Sequence, residues 1–428
     1  MFGLNGMLVG AAMAFFGAFG NGAWNPVWAI AAMILSALTA VVMETVGTWF
    51  ATRFRVAPLG IPFNGVMLPF LLRLAFVPQP FFDLGPPPPP FPAGAIDGFR
   101  LVQSLPIGLA QVFFSDKLVS VVLVVVGIAI CTPIGAVVGL LGCAMYLLAG
   151  LLLGAKPDEL YTGLWGYNAA LTATAIGGVF YTPNRLSISI GLICAFLASI
   201  ASILLAPLFS LLKLPVLSVP FALVTIGCFL ILQPLPSLVP VVLHTVASPE
   251  EHRQRFRAAK ETIASFRQQL RAALQGQQRN ILFEQATPAI KGDLRYIFDA
   301  IDRDRSGFLS TQELATHLHQ AGKVLSEGEL TYLFKCMDKD GSGAIDFEEF
   351  GELMLRHQRL MSRYTEFVTY FLPIDVDADD AISMKEMNTA LASLREPPLS
   401  KDEITFLQEH TGGQPLTWNR FIEVLLLT

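Results

Sequence analysis

Two twelve-residue stretches in the C-terminal third carry the side chains best suited to chemistry. Asp302, Asp304, Ser306 and Glu313 stand at positions 1, 3, 5 and 12 of the first, and Asp338, Asp340, Ser342 and Glu349 repeat that spacing in the second. Gly307 and Gly343 occupy position 6, where the chain must turn sharply, and the backbone carbonyls of Phe308 and Ala344 fall at position 7. Oxygen donors in this order, ending in a glutamate that can offer both carboxylate oxygens, are what a calcium ion takes up at flexible distances. Leu309 and Ile345 follow at the position where two such loops pair as a short strand. Two acidic surface loops of no function would not keep ligands, glycine and strand residue in register twice.

These are EF-hand loops, and two more units follow them. Asp375, Asp377, Asp379, Ala381 and Glu386 keep every ligand position of a third loop, but Asp380 stands where glycine is preferred. Aspartate tolerates the left-handed backbone better than most residues, so binding is expected there, more weakly. Pro373 shortens the helix leading in. A fourth unit, 409–420, keeps the loop length and an apolar strand residue, Leu416, yet ends in Arg420 and has Gly413 at a ligand position. It reads as a structural partner that binds no calcium. The cofactor implied is Ca2+, held in an EF-hand domain over 291–428.

The elements that position these loops belong to a chain of two characters. Of 63 Asp, Glu, Lys and Arg residues in all, only 14 lie in 1–240. That part reads as a lipid-embedded helical bundle, the remainder as soluble, and the fold class as all-α throughout. Apolar segments at 3–18, 25–50, 61–76, 119–155, 186–212 and 216–232 are candidates to cross a ~30 Å hydrocarbon core, with Thr132-Pro133 splitting the longest in two. The proline-rich run 86–92 reads as an extended spacer. Residues 163–178 carry no charge and are rich in Gly and Ala; they fit either a tightly packed crossing or an insertion lining a pore.

The five cysteines are scattered without a C-x-x-C pair and read as small core residues in a reducing compartment. No removable signal peptide is recognised at the start. A net charge of −5 without a basic patch argues against nucleic acid, and the absence of histidine from 1–240 argues against proton coupling. No nucleophile, base and phosphate loop assemble, so an enzyme is not expected. The acidic-proline signatures of a mitochondrial carrier are missing as well.

Between the two parts, a helical pattern places Phe256, Ala259, Ile263, Phe266, Leu270 and Leu274 on one face, with Arg253, Arg255, Arg257, Lys260, Arg267 and Arg271 decorating the rest. Basic residues this close to the last apolar segment favour a cytoplasmic C-terminal part. A basic amphipathic helix over 252–276 suits an anionic membrane surface, the grasp of an EF-hand lobe, or simple packing as a connector.

An internal repeat runs through the apolar part. Gly3-Leu4-Asn5-Gly6-Met7-Leu8 echoes Gly166-Tyr167-Asn168-Ala169-Ala170-Leu171, and Ile61-Pro62-Phe63 echoes Val219-Pro220-Phe221, at offsets of 163 and 158. Duplicated halves are a common way for transport folds to place a solute path at a pseudo-symmetric interface. Gln111-Val112-Phe113-Phe114 has no counterpart, which implies a first half shortened at its N-terminal end.

Together, Gln111-Val-Phe-Phe, Gly163-Leu-Trp-Gly-Tyr-Asn and Leu214-Pro-Val-Leu-Ser-Val-Pro-Phe221 closely resemble the second half of the urea transporter family, and residues 1–96 resemble the later part of its first half. The resemblance divides 1–233 into a partial first repeat, 1–96, and a second repeat, 97–235, with a linker over 236–290. It implies a passive, channel-like path for urea, in a trimer with one pore per subunit. Urea is flat, neutral and rich in donors, so its path needs apolar faces with acceptors along the edge. Carried over residue by residue, Val112, Phe114, Tyr167 and Leu171 wall one slot, with Gln111 a polar contact beside it. Ser218 supplies a hydroxyl where the family has threonine at the constriction. In the first half Leu4 replaces the slot aromatic, Leu8 matches, and Gly60 takes the threonine position. The resulting expectation is a multi-pass protein of the plasma membrane that passes urea under calcium control from cytoplasmic EF-hands; the alternative is a membrane-tethered calcium sensor or buffer with an inactive transport half.

Overall fold

The computed structural model describes residues 2–18, 26–77, 96–232, 238–241, 243, 246–274, 281–320, 330–331, 334, 337–338, 340–362, 381–410 and 416–417. The chain divides into two compact units, Met1–Gln254 and Arg255–Thr428. Regular structure among the described residues is helical, apart from one short strand pair and isolated bridges.

In the first unit, α1 (Phe2–Met13) runs into a π-helical turn, Ala14–Ala18, and is followed by α2 (Pro26–Phe54) and α3 (Ile61–Phe76). The chain then forms α4 (Gly98–Ala110), α5 (Leu118–Cys131), α6 (Pro133–Leu152) and the short α7 (Pro157–Tyr161). Next, α8 (Gly166–Thr174) runs into a second π-helical turn, Ala175–Val179, followed by α9 (Arg185–Leu211) and α10 (Val219–Leu232). The order α8, α9, α10 repeats α1, α2, α3 down to its irregularities. Arg55 and Leu59 adopt left-handed backbone before α3, and Lys213 and Leu217 do so before α10, each pair 158 residues apart. Four non-glycine residues in a costly conformation, matched two by two, mark the repeat independently of side-chain identity.

The break anticipated at Thr132-Pro133 is present. Thr132 caps α6 by accepting a hydrogen bond from Gly135 N at 3.0 Å, and Pro133 sits in the first turn, where its missing N–H costs nothing. Helices α2, α6 and α9 are long and apolar enough to cross a membrane, while α4 and α5 form a pair bent by 79°. Their outward faces are hydrocarbon: Ile30, Ile34 and Val41 on α2 and Leu197, Leu204 and Leu208 on α9 are all exposed. Helices α3 and α10 depart from the simple expectation of a crossing. At 16 and 14 residues they rise only about 24 and 21 Å, so neither spans a ~30 Å core alone. Each instead starts inside the bundle, after its left-handed leucine.

Residues 163–178 form a short buried helix with a π turn rather than a full crossing. Gly163 has φ +60°, and a Cβ there would lie 2.7 Å from Gly108 N, so only glycine lets α4 approach. α8 packs between α6 and α9. Two apolar clusters complete the unit. One gathers Val9, Ala12, Trp28, Phe63 and Met67 of the first repeat around Leu217 of the second; the other gathers Ala175, Ile176, Phe180 and Phe221 of the second around Leu59 of the first. The repeats therefore interlock, each contributing side chains to the other's cluster.

The second unit contains most of α11 (Pro249–Leu274), whose first turn belongs to the first unit. It continues with α12 (Ile281–Gln285), α13 (Pro288–Ile301), α14 (Thr311–Gln320), α15 (Phe347–Ser362), α16 (Met384–Ser393) and α17 (Lys401–His410). Phe298, Ile301, Leu309, Leu314, Phe334, Met337, Ile345 and Phe350 form the core of the first EF-hand pair.

Candidate functional site

The repeat places one buried asparagine beside each half-length helix. Asn5 donates to Leu59 O at 3.3 Å and accepts from Phe63 N at 3.3 Å. Asn168 donates to Leu217 O at 3.2 Å and accepts from Phe221 N at 3.3 Å. In both halves a free N–H of the first helical turn, next to the proline, is tied by a side-chain amide to the helix beside it. Tyr167 Oη also donates to Leu217 O, at 2.5 Å, so the sequence-expected aromatic is held by the loop that carries Ser218.

Where the halves meet, Gly60 and Ser218 face each other across the repeat. A Cβ on Gly60 would lie 2.6 Å from Ser218 Oγ, so the missing side chain of one half leaves room for the hydroxyl of the other. Asn64 Nδ2 donates to Ser218 Oγ at 3.0 Å, and Asn64 Oδ1 is buried without a hydrogen-bond partner among the described residues. Gln111 is likewise buried: its Nε2 donates to Thr162 O at 3.4 Å, and its Oε1 has no partner among the described residues. Buried acceptors left unpaired are costly, on the order of 1–3 kcal/mol each, and a solute rich in N–H groups relieves that cost. Asn64 was missed by the sequence expectations. The signal was there: the repeat pairs it with Ala222, so an amide stands where the other half is apolar.

The remaining slot residues are distributed. Phe114, in left-handed backbone at φ 55°, packs with Leu8 and Phe16 of the first repeat, and its ring lies 5.6 Å from Phe15 and 6.2 Å from Phe16. Leu171 packs in the other cluster with Leu59 and Phe180. Phe114 and Leu171 thus pack against different clusters, one on each side of the interlocked halves. Val112 is half-buried in the short turn beside Gln111, and Leu4 is 50% exposed on α1.

The two loops of the first EF-hand pair are built alike. In the first, Ser306 N donates to Asp302 Oδ1 and Asp304 Oδ1 at 3.0 and 2.9 Å, Gly307 N to Asp302 Oδ2 at 2.9 Å, and Ser310 N to Glu313 Oε2 at 2.9 Å. In the second, Ser342 N donates to Asp338 Oδ1 and Asp340 Oδ1 at 2.9 Å each, Gly343 N to Asp338 Oδ2 at 2.8 Å, and Asp346 N to Glu349 Oε2 at 3.1 Å. Carboxylate oxygens of Asp302, Asp304 and Glu313 lie within 4.8 Å of one another, and so do those of Asp338, Asp340 and Glu349. Leu309 and Ile345 join the loops through reciprocal N–H to carbonyl bonds of 2.8 and 3.0 Å. Hydrogen bonds from Ser306, its hydroxyl foremost, hold Asp304 below the usual carboxylate range; Ser342 does this for Asp340, and the Ser310 hydroxyl for Glu313. The loops thus keep their oxygens ionised and converging, which is the donor set a hard divalent cation fits.

For the third hand, Asp375, Asp377 and Asp379 lie outside the described residues. Ala381-Ile382 pairs antiparallel with Leu416-Thr417, opposing Ile382 to Leu416 as Leu309 opposes Ile345. Glu386 accepts from the Ser383 hydroxyl and N–H at 2.7 and 2.9 Å.

Beside this second pair, α11 is held by charge. Arg267, one of the basic residues that decorate this helix, is 5% exposed. Its guanidinium donates to Pro397 O, Pro398 O and Glu403 Oε2 at 2.7, 2.9 and 3.1 Å, which makes burial tolerable. Arg271 reaches Glu403 Oε1 at 3.3 Å and Lys260 reaches Glu396 at 3.4 Å. Burial alone would raise the Glu403 carboxyl, but Arg267, the Ser400 N–H and Arg271 together bring it below its ordinary value. Ala259 and Ile263 of the expected apolar face are buried, whereas the side chains of Phe266, Leu270 and Leu274 lie outside the description.

A family model described as urea transporter matches residues 1–233, more than half of the chain. The chain belongs to the urea transporter family. An EF-hand domain pair matches residues 291–355, so this family member carries a calcium-binding type of domain behind its transporter part. It is 26% identical over 255 residues to Urea transporter 1 of Mus musculus, and 26% identical over 256 residues to the proteins of that name from Ovis aries and Capra hircus. These matches cover 59% of this urea transporter family chain and 66% of each relative, so the chain spans just under two thirds of their length.

Proposed function

We propose that this urea transporter family member conducts urea passively through the junction of its two repeats and that its EF-hands bind calcium to regulate the path. The observation that carries the reading is a pair of buried acceptors without a partner among the described residues: Asn64 Oδ1, whose amide bonds Ser218 across the repeats, and Gln111 Oε1 in the second repeat. A planar solute with four N–H donors satisfies such acceptors edge-on while its faces slide past leucine and aromatic side chains. Ser218 is the third polar contact, presented by Asn64; Val112, Phe114, Tyr167, Leu171, Leu4 and Leu8 supply apolar surface. Nothing in this arrangement stores energy, so flux follows the gradient.

Calcium would be held by Asp302, Asp304, Ser306, the Phe308 carbonyl and Glu313, by the equivalent second-loop set, and more weakly by Asp375, Asp377, Asp379, the Ala381 carbonyl and Glu386. It supplies positive charge that draws each terminal glutamate into its loop, and the linked strand moves with it. Helix α11, clasped through Arg267 and Glu403 beside the second pair, is the element that this change would tighten or release. The same reading places the protein in the plasma membrane as a homotrimer, EF-hands in the cytoplasm, where the basic residues after α10 favour them.

The test is urea-driven light scattering of proteoliposomes containing the chain, with calcium chelated and then restored. Urea entry faster than in empty liposomes supports the path, and a change on restoring calcium supports the regulation. Entry equal to that of empty liposomes in both states, from folded protein, refutes conduction and leaves a tethered calcium sensor. Hydrogen exchange over 255–274 that stays constant while the loops fill would rule out α11 as the responding element.

A further inference from the structure

Cys194 on α9 and Cys228 on α10 bring their sulfurs to 3.0 Å, both as free thiols. That is about 1 Å beyond a disulfide bond of ~2.05 Å, so the two sulfurs are already in contact. The pair sits beside the second apolar cluster, with Cys194 inside it and Cys228 packed on its edge. Packing does not demand sulfur here. The 158-residue offset sets Phe70 in the place of Cys228, and in the first repeat that phenylalanine packs edge-on to Trp28 at 6.2 Å. Two thiols in contact, on different helices and in one half only, form a reactive pair rather than a requirement of the fold.

We infer that Cys194 and Cys228 are a redox site, closed to a disulfide by a small uncharged peroxide and reopened by a dithiol reductant. The balance is complete. One thiol sulfur attacks a peroxide oxygen, the O–O bond breaks, and the products are a sulfenic acid and one water. The second sulfur then attacks the sulfenic sulfur and expels the hydroxyl as a second water. Two thiols and one hydrogen peroxide thus give one disulfide and two waters; both sulfurs are oxidised and the peroxide oxygens reduced. An uncharged oxidant is required because the pair lies within apolar helices, which exclude charged reagents. The bond would tie the long crossing α9 to α10, the short helix that starts directly after Ser218.

The experiment uses the full chain in liposomes, treated with hydrogen peroxide, quenched with N-ethylmaleimide and mapped by mass spectrometry. Exposed Cys131 serves as an internal control. The expected result is the loss of two alkylatable thiols and one linked peptide joining positions 194 and 228, lighter by two hydrogens than its two free-thiol peptides together; dithiothreitol restores both thiols. Cys194→Ala and Cys228→Ala should each abolish the linkage. Peptide mapping of the unaltered protein decides the matter even if a variant misfolds. The inference is overturned if both sulfurs stay alkylatable at a peroxide dose that oxidises Cys131, or if the linked peptides join other cysteines.

Discussion

Replacing Gly60 separates what family resemblance expects from what the structure dictates. Resemblance assigns Gly60 to a position that carries threonine, so adding a side chain should restore a missing polar contact and raise urea flux. The structure says the reverse. Gly60 has an ordinary φ of −88°, so alanine meets no backbone strain, and the effect is purely one of space. The new Cβ would lie 2.6 Å from Ser218 Oγ, and the hydroxyl must retreat by about 0.8 Å to reach normal contact. That movement breaks the 3.0 Å bond from Asn64 Nδ2 and leaves an amide already lacking one partner without either. An unsatisfied buried donor costs about 1–3 kcal/mol. If that cost raises the barrier at the junction, Gly60→Ala slows urea entry by roughly 5- to 150-fold. Gly60→Thr slows it at least as much. The swap Gly60→Ser with Ser218→Gly moves the hydroxyl across the pseudo-symmetric contact and should recover most of the flux. Stopped-flow light scattering of proteoliposomes measures all three, with circular dichroism confirming helix content. Flux unchanged in Gly60→Ala, or raised in Gly60→Thr, would show that the repeats do not meet at the constriction.

Three further outcomes are expected. Loop one carries Arg303 and Arg305 among its ligands, and replacing both with alanine removes two positive charges at about 10 Å from the ion, worth ~0.5 kcal/mol after screening; isothermal titration should show roughly twofold tighter calcium binding at that loop. Glu349→Gln removes a bidentate anionic ligand and should weaken the second loop by about 1.5–3 kcal/mol, seen as the loss of one binding event in the same titration. The Glu403 carboxyl is held below its unfolded value, so the clasp on Arg267 contributes stability that is fully present above pH ~4.3 and is lost as pH falls through the lower folded value. Thermal melts of the chain should therefore show a destabilising limb at acid pH that Glu403→Gln flattens, while lowering stability near neutrality because Arg267 keeps only Glu396, at 4.0 Å, as an anionic partner.

The EF-hand loops were legible because calcium ligation is local. Twelve consecutive residues supply the turn, the donors and the final glutamate, so spacing alone defined Asp302 to Glu313 and Asp338 to Glu349. The repeat was legible for a related reason, since short strings recurred at fixed offsets and the chain had to build the same helix start twice. The extents of α3 and α10 were nearly legible, at 61–76 and 216–232, but their starting depth was not. Hydropathy measures whether a segment is apolar, not whether it begins halfway through the bundle after a left-handed leucine.

What the sequence by itself determined is the division into an apolar helical part and an acidic calcium-binding type of domain, the duplicated halves, and the family, because each rests on composition or on short-range order. Tertiary structure alone decided which residues of one repeat meet those of the other. It set Asn64 against Ser218 across 154 residues, sent Phe114 and Leu171 to opposite clusters, and buried Arg267 against Glu403 across 136. Such pairings are fixed by how helices interlock, and a polar side chain is stable in the interior only when that interlocking brings it a partner.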